Sequence, residues 1–254
     1  MKLPCLLILS ATVLSAAAGE IRLSDAQAGE IGRRIWRNEC AGTVSGLTSW
    51  NKGEEFPSLG IAHFIWYPAG HHGPFEESFP GLARYLKEAG KPVSDWMLGS
   101  CPWATRAAFV ADIDGPRLTA LRKLLASTVP EQARFAAIRL EGALPKMLQA
   151  APAGARGRIR ENFARVAAQP LGGYALMDYV NFKGEGVSPS ERYNGQGWGL
   201  LQVLESMDSG GAALPAFVSA ADAVLTRRVK NAPPARNEGQ WLPGWRNRLK
   251  TYLP

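Results

Sequence analysis

The strongest constraint on the fold is a change of pattern between residues 35 and 68. This stretch, IWRNECAGTVSGLTSWNKGEEFPSLGIAHFIWYP, starts at the end of an amphipathic segment and passes through a turn rich in Gly, Ser and Thr. Its last part, Ser58 to Tyr67, mixes β-branched and aromatic residues, which is typical of a strand or hairpin arm. Helical patterns dominate the rest of the chain. We therefore predict a predominantly helical α+β fold with one small β-hairpin near the N-terminus.

The segment before this turn has the signals of a capped helix. Ser24 and Gln27 have the spacing of a capping box. An apolar stripe that begins at Ala28 recurs every three or four residues and, extended by one step, falls on Glu39, before Gly42 ends the helix. Burial and the helix dipole both disfavour a charged carboxylate there, which is the condition that a general acid needs. A half-exposed glutamate at a helix end is the alternative.

Several later segments also have the apolar spacing of helices. One of them begins at Pro130, with a kink predicted at Pro145. The others are residues 102–110, 116–128, 172–182, 200–207, 214–230 and 243–252.

The first residues have the pattern of a secretory signal peptide. A lysine precedes an apolar run from Leu3 to Leu14, and small residues follow. The run is short for a membrane span, although an uncleaved anchor is the alternative. We expect residues 1–18 to be a signal peptide and residues 19–254 a single domain, found as a periplasmic or secreted monomer.

The net charge is +7, and much of the excess lies near the end of the chain. Between Thr226 and Pro254 there are seven basic residues and one acid, Glu238. Such a charge attracts polyanions, among them cell-wall polymers and nucleic acid, or simply keeps the protein in solution. This segment is the only support for nucleic-acid binding, so we predict no nucleic-acid partner. No later stretch is apolar enough for an integral membrane protein.

Two cysteines, Cys40 and Cys101, would remain in the processed chain. In an oxidising compartment an even pair predicts a disulfide, and two separate buried thiols are the alternative. Neither cysteine has the spacing of a zinc ligand, and the adjacent His71 and His72 have no acidic or thiol partner nearby in the sequence. We predict no metal site and no cofactor.

Motifs of several enzyme classes are missing. The chain has no Gly-x-Ser-x-Gly elbow and no His-Glu-x-x-His pair, and the GQGWG of residues 195–199 does not match a phosphate-binding or dinucleotide-binding loop. What remains is a helix-terminal glutamate followed by acids and hydroxyls, which is the equipment for glycosidic bond cleavage.

At these residues the chain resembles the phage-type lysozymes of the lysozyme-like superfamily. Their signature is a helix-terminal glutamate, a β-hairpin with an aspartate and a threonine, and an Ile-Gly-x-Gly-His stretch. Glu39 matches the glutamate, Ser58 stands at the threonine, and residues 59–63 (LGIAH) resemble the end of the hairpin motif. Residues 175–182 and 225–228 are similar to two later helices of the family.

The chain also departs from that pattern. Lys52 stands where the aspartate is expected, and Ala62 replaces the second glycine. The nearest acids are Glu54 and Glu55. Residues 69–170 have no clear counterpart and would form a helical insertion.

The resemblance implies a muramidase that acts on peptidoglycan or a related polysaccharide. Glu39 would protonate the glycosidic oxygen, Glu54 would stabilise the transition state or activate water, and Ser58 would position that water. The candidate sugar contacts, each of which has core packing as its alternative, are His63, Trp66, Tyr67, Asn181, Trp198 and Gln202.

Two other functions are compatible with the same residues. A lytic transglycosylase needs only Glu39, which would suit the missing aspartate. A non-catalytic lysozyme-like domain would bind wall glycan or a partner protein without cleaving it.

Overall fold

The computed structural model describes residues 21–254, which form ten α-helices and two small sheets. The prediction of a predominantly helical α+β fold is confirmed. The helices are α1 (Asp25–Cys40), α2 (Phe79–Glu88), α3 (Arg106–Ala111), α4 (Pro116–Ser127), α5 (Val129–Ala150), α6 (Arg156–Ala167), α7 (Gly172–Lys183), α8 (Leu200–Ser206), α9 (Ala213–Asn231) and α10 (Leu242–Lys250). The strands, two residues each, are β1 (Thr48–Ser49), β2 (Ser58–Leu59), β3 (Phe64–Ile65), β4 (Arg192–Tyr193) and β5 (Gln196–Gly197). The expected signal peptide lies outside the described residues.

Helix α1 begins and ends as its sequence predicts. The Gln27 amide donates to Ser24 Oγ at 3.3 Å, and the Ser24 amide donates to Gln27 Oε1 at 3.0 Å, which completes the capping box. The apolar stripe of α1 is buried. After Cys40, Ala41 and Gly42 have left-handed φ angles of 51° and 68°, so the chain turns away towards the first sheet.

The first sheet is antiparallel and has the order β1-β2-β3. Ser58 pairs with Ser49 on one side and with Ile65 on the other, so β2 is the central strand. The segment predicted as one hairpin arm contains both β2 and β3, joined by a tight turn over residues 60–63. This turn faces the end of α1.

The helices form one connected apolar core. Helix α5 packs along α1 and continues through Pro145, and α7 contacts α1, α5, α6 and α8. Helix α10 packs on α9 and brings the last part of the chain back to the end of α1. Within residues 21–254, no helix combines the length and apolarity needed to cross a bilayer.

The structure differs from the sequence-based expectation at two places. Helix α3 begins at Arg106 and not at Pro102, because the Thr105 hydroxyl accepts the Ala108 amide at 3.2 Å and caps the helix there. A second hairpin, β4-β5, lies between the predicted helices 172–182 and 200–207, where no strand was predicted, and it turns at Asn194 and Gly195, whose φ angles are 50° and 74°.

Candidate active site

Glu39 lies where three elements meet. It is the penultimate residue of α1, and its side chain is 12% exposed. One carboxylate oxygen accepts a hydrogen bond from the Arg248 guanidinium of α10. The other lies 3.4 Å from Nδ1 of His63 in the β2-β3 turn. The predicted acid therefore sits at a junction of helix, hairpin and C-terminal helix.

A second carboxylate, Asp178 of α7, holds the same arginine. Nε and Nη2 of Arg248 donate to Asp178 Oδ2 and Oδ1 at 2.8 and 2.9 Å. The Tyr252 hydroxyl donates to Asp178 at 2.6 Å, and the Asn38 amide donates at 3.1 Å. Asp178 has no exposed surface, so these donors replace the water that its charge would otherwise need.

The three charges of this cluster do not balance when both carboxyls are ionised. Burial alone would lower the pKa of Arg248, but the hydrogen bonds and charge of Asp178, together with the charge of Glu39, raise it, so the guanidinium stays charged. Asp178 already neutralises Arg248 and has two further donors. Glu39 is therefore a second carboxylate on the same guanidinium, and it is the one of the two with exposed surface.

The β2-β3 turn is held against the helical lobe. Gly60 has a left-handed φ of 70°, and a Cβ there would lie 2.3 Å from Gln132 Oε1. The fully buried Gln132 accepts the Ile61 amide at 3.0 Å and donates to the Leu125 carbonyl at 2.6 Å. These bonds fix the turn, in which His63 also has a left-handed φ, of 50°.

Cys40 and Cys101 are free, buried thiols, so the predicted disulfide is not present. The Cys40 thiol donates to the Gly60 carbonyl, and the Cys101 thiol donates to the Trp103 carbonyl, each at 3.6 Å. Each cysteine is thus part of its own local packing rather than of a cross-link.

Cys40, His63 and Glu39 form a row that resembles a nucleophile with its base. The Cys40 sulfur lies 4.0 Å from His63 Nε2. Burial, followed by the charge of Glu39, raises the pKa of Cys40 to about 12, so this thiol stays protonated and is a poor nucleophile. Among residues 21–254, no three His, Cys, Asp or Glu side chains are grouped as metal ligands would be.

The two other predicted catalytic residues lie in the sheet and its loop. Glu54, between β1 and β2, accepts a hydrogen bond from the Asn51 side chain at 3.1 Å, and Glu55 is exposed beside it. Ser58 is the buried first residue of β2. The hydrogen bonds and ion pairs of the described residues join none of these side chains to Glu39.

Two of the predicted sugar contacts lie near the cluster. His63 faces Glu39, as described above. Asn181 follows Asp178 by one turn of α7, and its amide nitrogen is buried without a hydrogen-bond partner in the described part of the chain.

The aromatic residues predicted to stack on sugar are packed inside the protein. Trp66 is fully buried, with its ring centroid 4.4 Å from that of Phe79. Tyr67 is 5% exposed and packs edge-on against Phe56. Neither ring has a free face for a ligand, because both fill the core around the first sheet.

Trp198 and Gln202 support the second hairpin. The Gln202 side chain accepts the Gly199 amide and donates to the Gly186 carbonyl, both at 3.0 Å, and so caps α8. Trp198 is 6% exposed and lies under the Arg228 guanidinium, 4.1 Å from its ring centroid. Both side chains have structural partners in place of a ligand.

The basic C-terminal segment is largely used for internal pairing. Arg228, in the segment compared with a late family helix, binds the buried Glu238 through two hydrogen bonds of 2.7 and 2.9 Å. The arginine that reaches Glu39 comes from α10 instead. The arginines of this segment that bind carboxylates are Arg228, Arg236, Arg246 and Arg248.

Sequence reasoning identified His63 but neither Arg248 nor Asp178 as part of the surroundings of Glu39. Asp178 lies in GGYALMDYVNF, a helix that is otherwise apolar and almost wholly buried. A carboxylate in such a helix requires a buried cation. This was the available signal for a partner such as Arg248, although it does not say which cation pairs with Asp178.

Comparison of the chain with models of known protein families, with curated proteins and with solved structures gave no match.

Proposed function

We propose that this protein is an exported, lysozyme-like glycoside hydrolase that cleaves peptidoglycan glycan strands with Glu39 as its general acid. One observation supports it above the others. A mostly buried glutamate at a helix end faces a hairpin turn, beside an arginine whose charge Asp178 already neutralises. In the proposed step in which Glu39 carries the proton, Asp178 would keep Arg248 paired. The Ser58 to His63 resemblance supports the same class of enzyme.

The proposed reaction begins with proton transfer. Protonated Glu39 donates to the glycosidic oxygen, the bond from that oxygen to the anomeric carbon breaks, and the sugar becomes oxocarbenium-like. A water oxygen then bonds to the anomeric carbon, and the proton that this water loses returns to the carboxylate. Arg248 stabilises Glu39 while it is ionised between the two steps.

The second carboxylate of the proposed mechanism comes from the loop between β1 and β2. Hydrolases of this type use a pair of carboxyls. Glu54 is the candidate, from the loop between β1 and β2, whereas Asp178 is excluded because it is fully buried and bound to Arg248.

A lytic transglycosylase is the second candidate, favoured because Glu39 is the only carboxyl of the cluster with any exposed surface. In that reaction a hydroxyl of the sugar itself bonds to the anomeric carbon and loses its proton to Glu39. No water is consumed, and no second carboxylate is needed.

Product analysis on isolated peptidoglycan tests this proposal. The wild-type protein should release soluble muropeptides, and Glu39→Gln should release none. Reducing ends in the products indicate hydrolysis, and anhydro sugars indicate transglycosylation. Release that persists in Glu39→Gln would overturn the mechanism, and binding by the wild-type protein without release would indicate the non-catalytic domain.

A further inference from the structure

Aromatic and cationic side chains form a continuous row from the surface to Glu39. Trp241, Trp245 and Arg248 are spaced by four and three residues and lie on one side of α10 and the turn before it. The rings of Trp241 and Trp245 are 6.2 Å apart, and the Trp245 ring is 6.2 Å from that of Phe182. The Arg248 guanidinium lies 4.3 Å from the Phe182 centroid and binds Glu39.

Trp241 is the exposed end of this row, with 43% of its surface accessible. It closes a short 3-10 turn, Glu238–Trp241. The Glu238 side chain is fully buried and accepts hydrogen bonds from Arg228 and from the Tyr193 hydroxyl, the latter at 2.9 Å. Burial would raise the pKa of Glu238, but these bonds lower it, so the turn is anchored by an ionised carboxylate. Trp245 supports the indole from behind.

We infer that Trp241 is a stacking platform for one sugar of the glycan strand, remote from the bond that Glu39 would cleave. The inference rests on the proposed function for the location of that bond. Flat aromatic rings with a polar edge suit a surface that is apolar on one face and hydroxylated around it, as a pyranose is. A lone exposed indole is small for a protein-protein interface, which needs an apolar patch of several hundred Å².

The spacing along α10 predicts that binding at this site depends on the length of the glycan strand. Arg248 lies seven positions after Trp241, which corresponds to about 10 Å along a helix axis. This distance exceeds the length of a single sugar ring. Only a strand of several sugars can therefore occupy both Trp241 and the site of Glu39.

The test measures binding and cleavage as a function of strand length. In the Glu39→Gln background, Trp241→Ala should weaken co-sedimentation with long purified glycan strands by about three- to tenfold. Short oligosaccharides should bind equally to both proteins. Trp241→Phe should restore most of the affinity, and Phe75→Ala, at another exposed aromatic residue, should have no effect. In the active protein, Trp241→Ala should raise KM for long strands and leave kcat unchanged.

The outcomes separate this inference from the proposed function. Cleavage by the wild-type protein, together with equal binding of long strands by Trp241→Ala, overturns the platform and leaves the hydrolase standing. Strand binding that depends on Trp241, without any cleavage, supports the platform and overturns the hydrolase. A loss of affinity that is the same for short and long strands overturns the placement remote from Glu39.

Discussion

Arg248 connects the candidate acid to the interior of the protein. It lies 209 positions after Glu39 in the chain, and it bonds to both Glu39 and Asp178. The capping box and the apolar stripe of α1 are local patterns, so Glu39 could be predicted from its own neighbourhood. Its pairing with Arg248 could not, because nothing near Arg248 in the sequence distinguishes it from the other arginines of the C-terminal segment.

The buried Asp178 should matter more for stability than an exposed carboxylate with the same type of partner. Asp178→Asn keeps the shape but leaves Arg248 with a weaker buried partner, and we expect a loss of about 3–5 kcal/mol in the free energy of unfolding. The matched control is Asp222→Asn. Asp222 pairs with Arg246, which is also on α10 but is 46% exposed, so this substitution should change the free energy of unfolding little. Urea unfolding measures both, and equal losses would contradict this account of the cluster.

Lys183 gives the protein a predictable pH dependence of stability. Its Nζ lies 3.4 Å from the Trp245 ring centroid and 3.9 Å from that of Phe182. Burial, and then the charge of Arg228, lowers the pKa of Lys183 from 10.5 to about 6. Between these values the unfolded chain binds a proton that the folded protein does not, so this residue's contribution makes the protein more stable as the pH rises through that window.

Lys183→Met should remove this dependence. The methionine fills the same aromatic pocket without a charge, so we expect a gain of roughly 1–4 kcal/mol at neutral pH, as for other buried ionic groups replaced by apolar ones. The gain should be largest below pH 6 and should shrink towards pH 10. Thermal unfolding across this range tests it, and a gain that grows with pH would show that the sign is wrong.

At the scale of elements, local signals predicted most helices and missed one hairpin. Helices α4, α7 and α9 begin within a residue or two of the predicted positions. Their signals, Pro or Gly near the start and an apolar stripe, involve only residues that are close together in the sequence. The β4-β5 hairpin has strands of two residues, which are too short to show the alternation of apolar and polar residues that marks a strand. Asn194-Gly195 is nevertheless the dipeptide that such turns prefer, and it was the available signal.

Two glycines in the loops of the first sheet should respond differently to substitution. Gly53 and Gly60 have φ angles of 91° and 70°, so Gly→Ala at either position costs about 1–2 kcal/mol of backbone strain. At Gly53 a new Cβ meets nothing within 4 Å, whereas at Gly60 it meets Gln132. Gly60→Ala should therefore lose more stability and, by moving His63, more activity. Chemical unfolding and the muropeptide assay measure the two effects, and identical behaviour would contradict the role of Gln132.

At the scale of the whole molecule, the candidate site joins the two ends of the described chain. The sequence predicted the fold class because helical stripes and one β-like segment are properties of single elements. It did not predict which elements meet, since α1, the first sheet and α10 come together only in the folded core. The disulfide prediction failed for the same reason: pairing two cysteines requires their positions in space.

The two buried thiols give a simple test of the packing around them. Burial raises the pKa of Cys101 to about 11, and Cys40 is more strongly affected. We expect both to be unreactive towards a thiol reagent in the native protein and to react once it is unfolded in urea. A reducing agent should not change the Tm. Detection of a Cys40–Cys101 cross-linked peptide by mass spectrometry would contradict this.

In the proposed function, Glu39 supplies the proton for glycosidic bond cleavage. The most direct measurement compares muropeptide release from isolated peptidoglycan by the wild-type protein, Glu39→Gln and Glu30→Gln. Glu30 is on the same helix but is 48% exposed and pairs with Arg33 and Arg34. We predict that Glu39→Gln loses at least about 100-fold in rate while keeping the wild-type Tm, and that Glu30→Gln keeps its activity. Comparable release by all three proteins would contradict the assignment of Glu39.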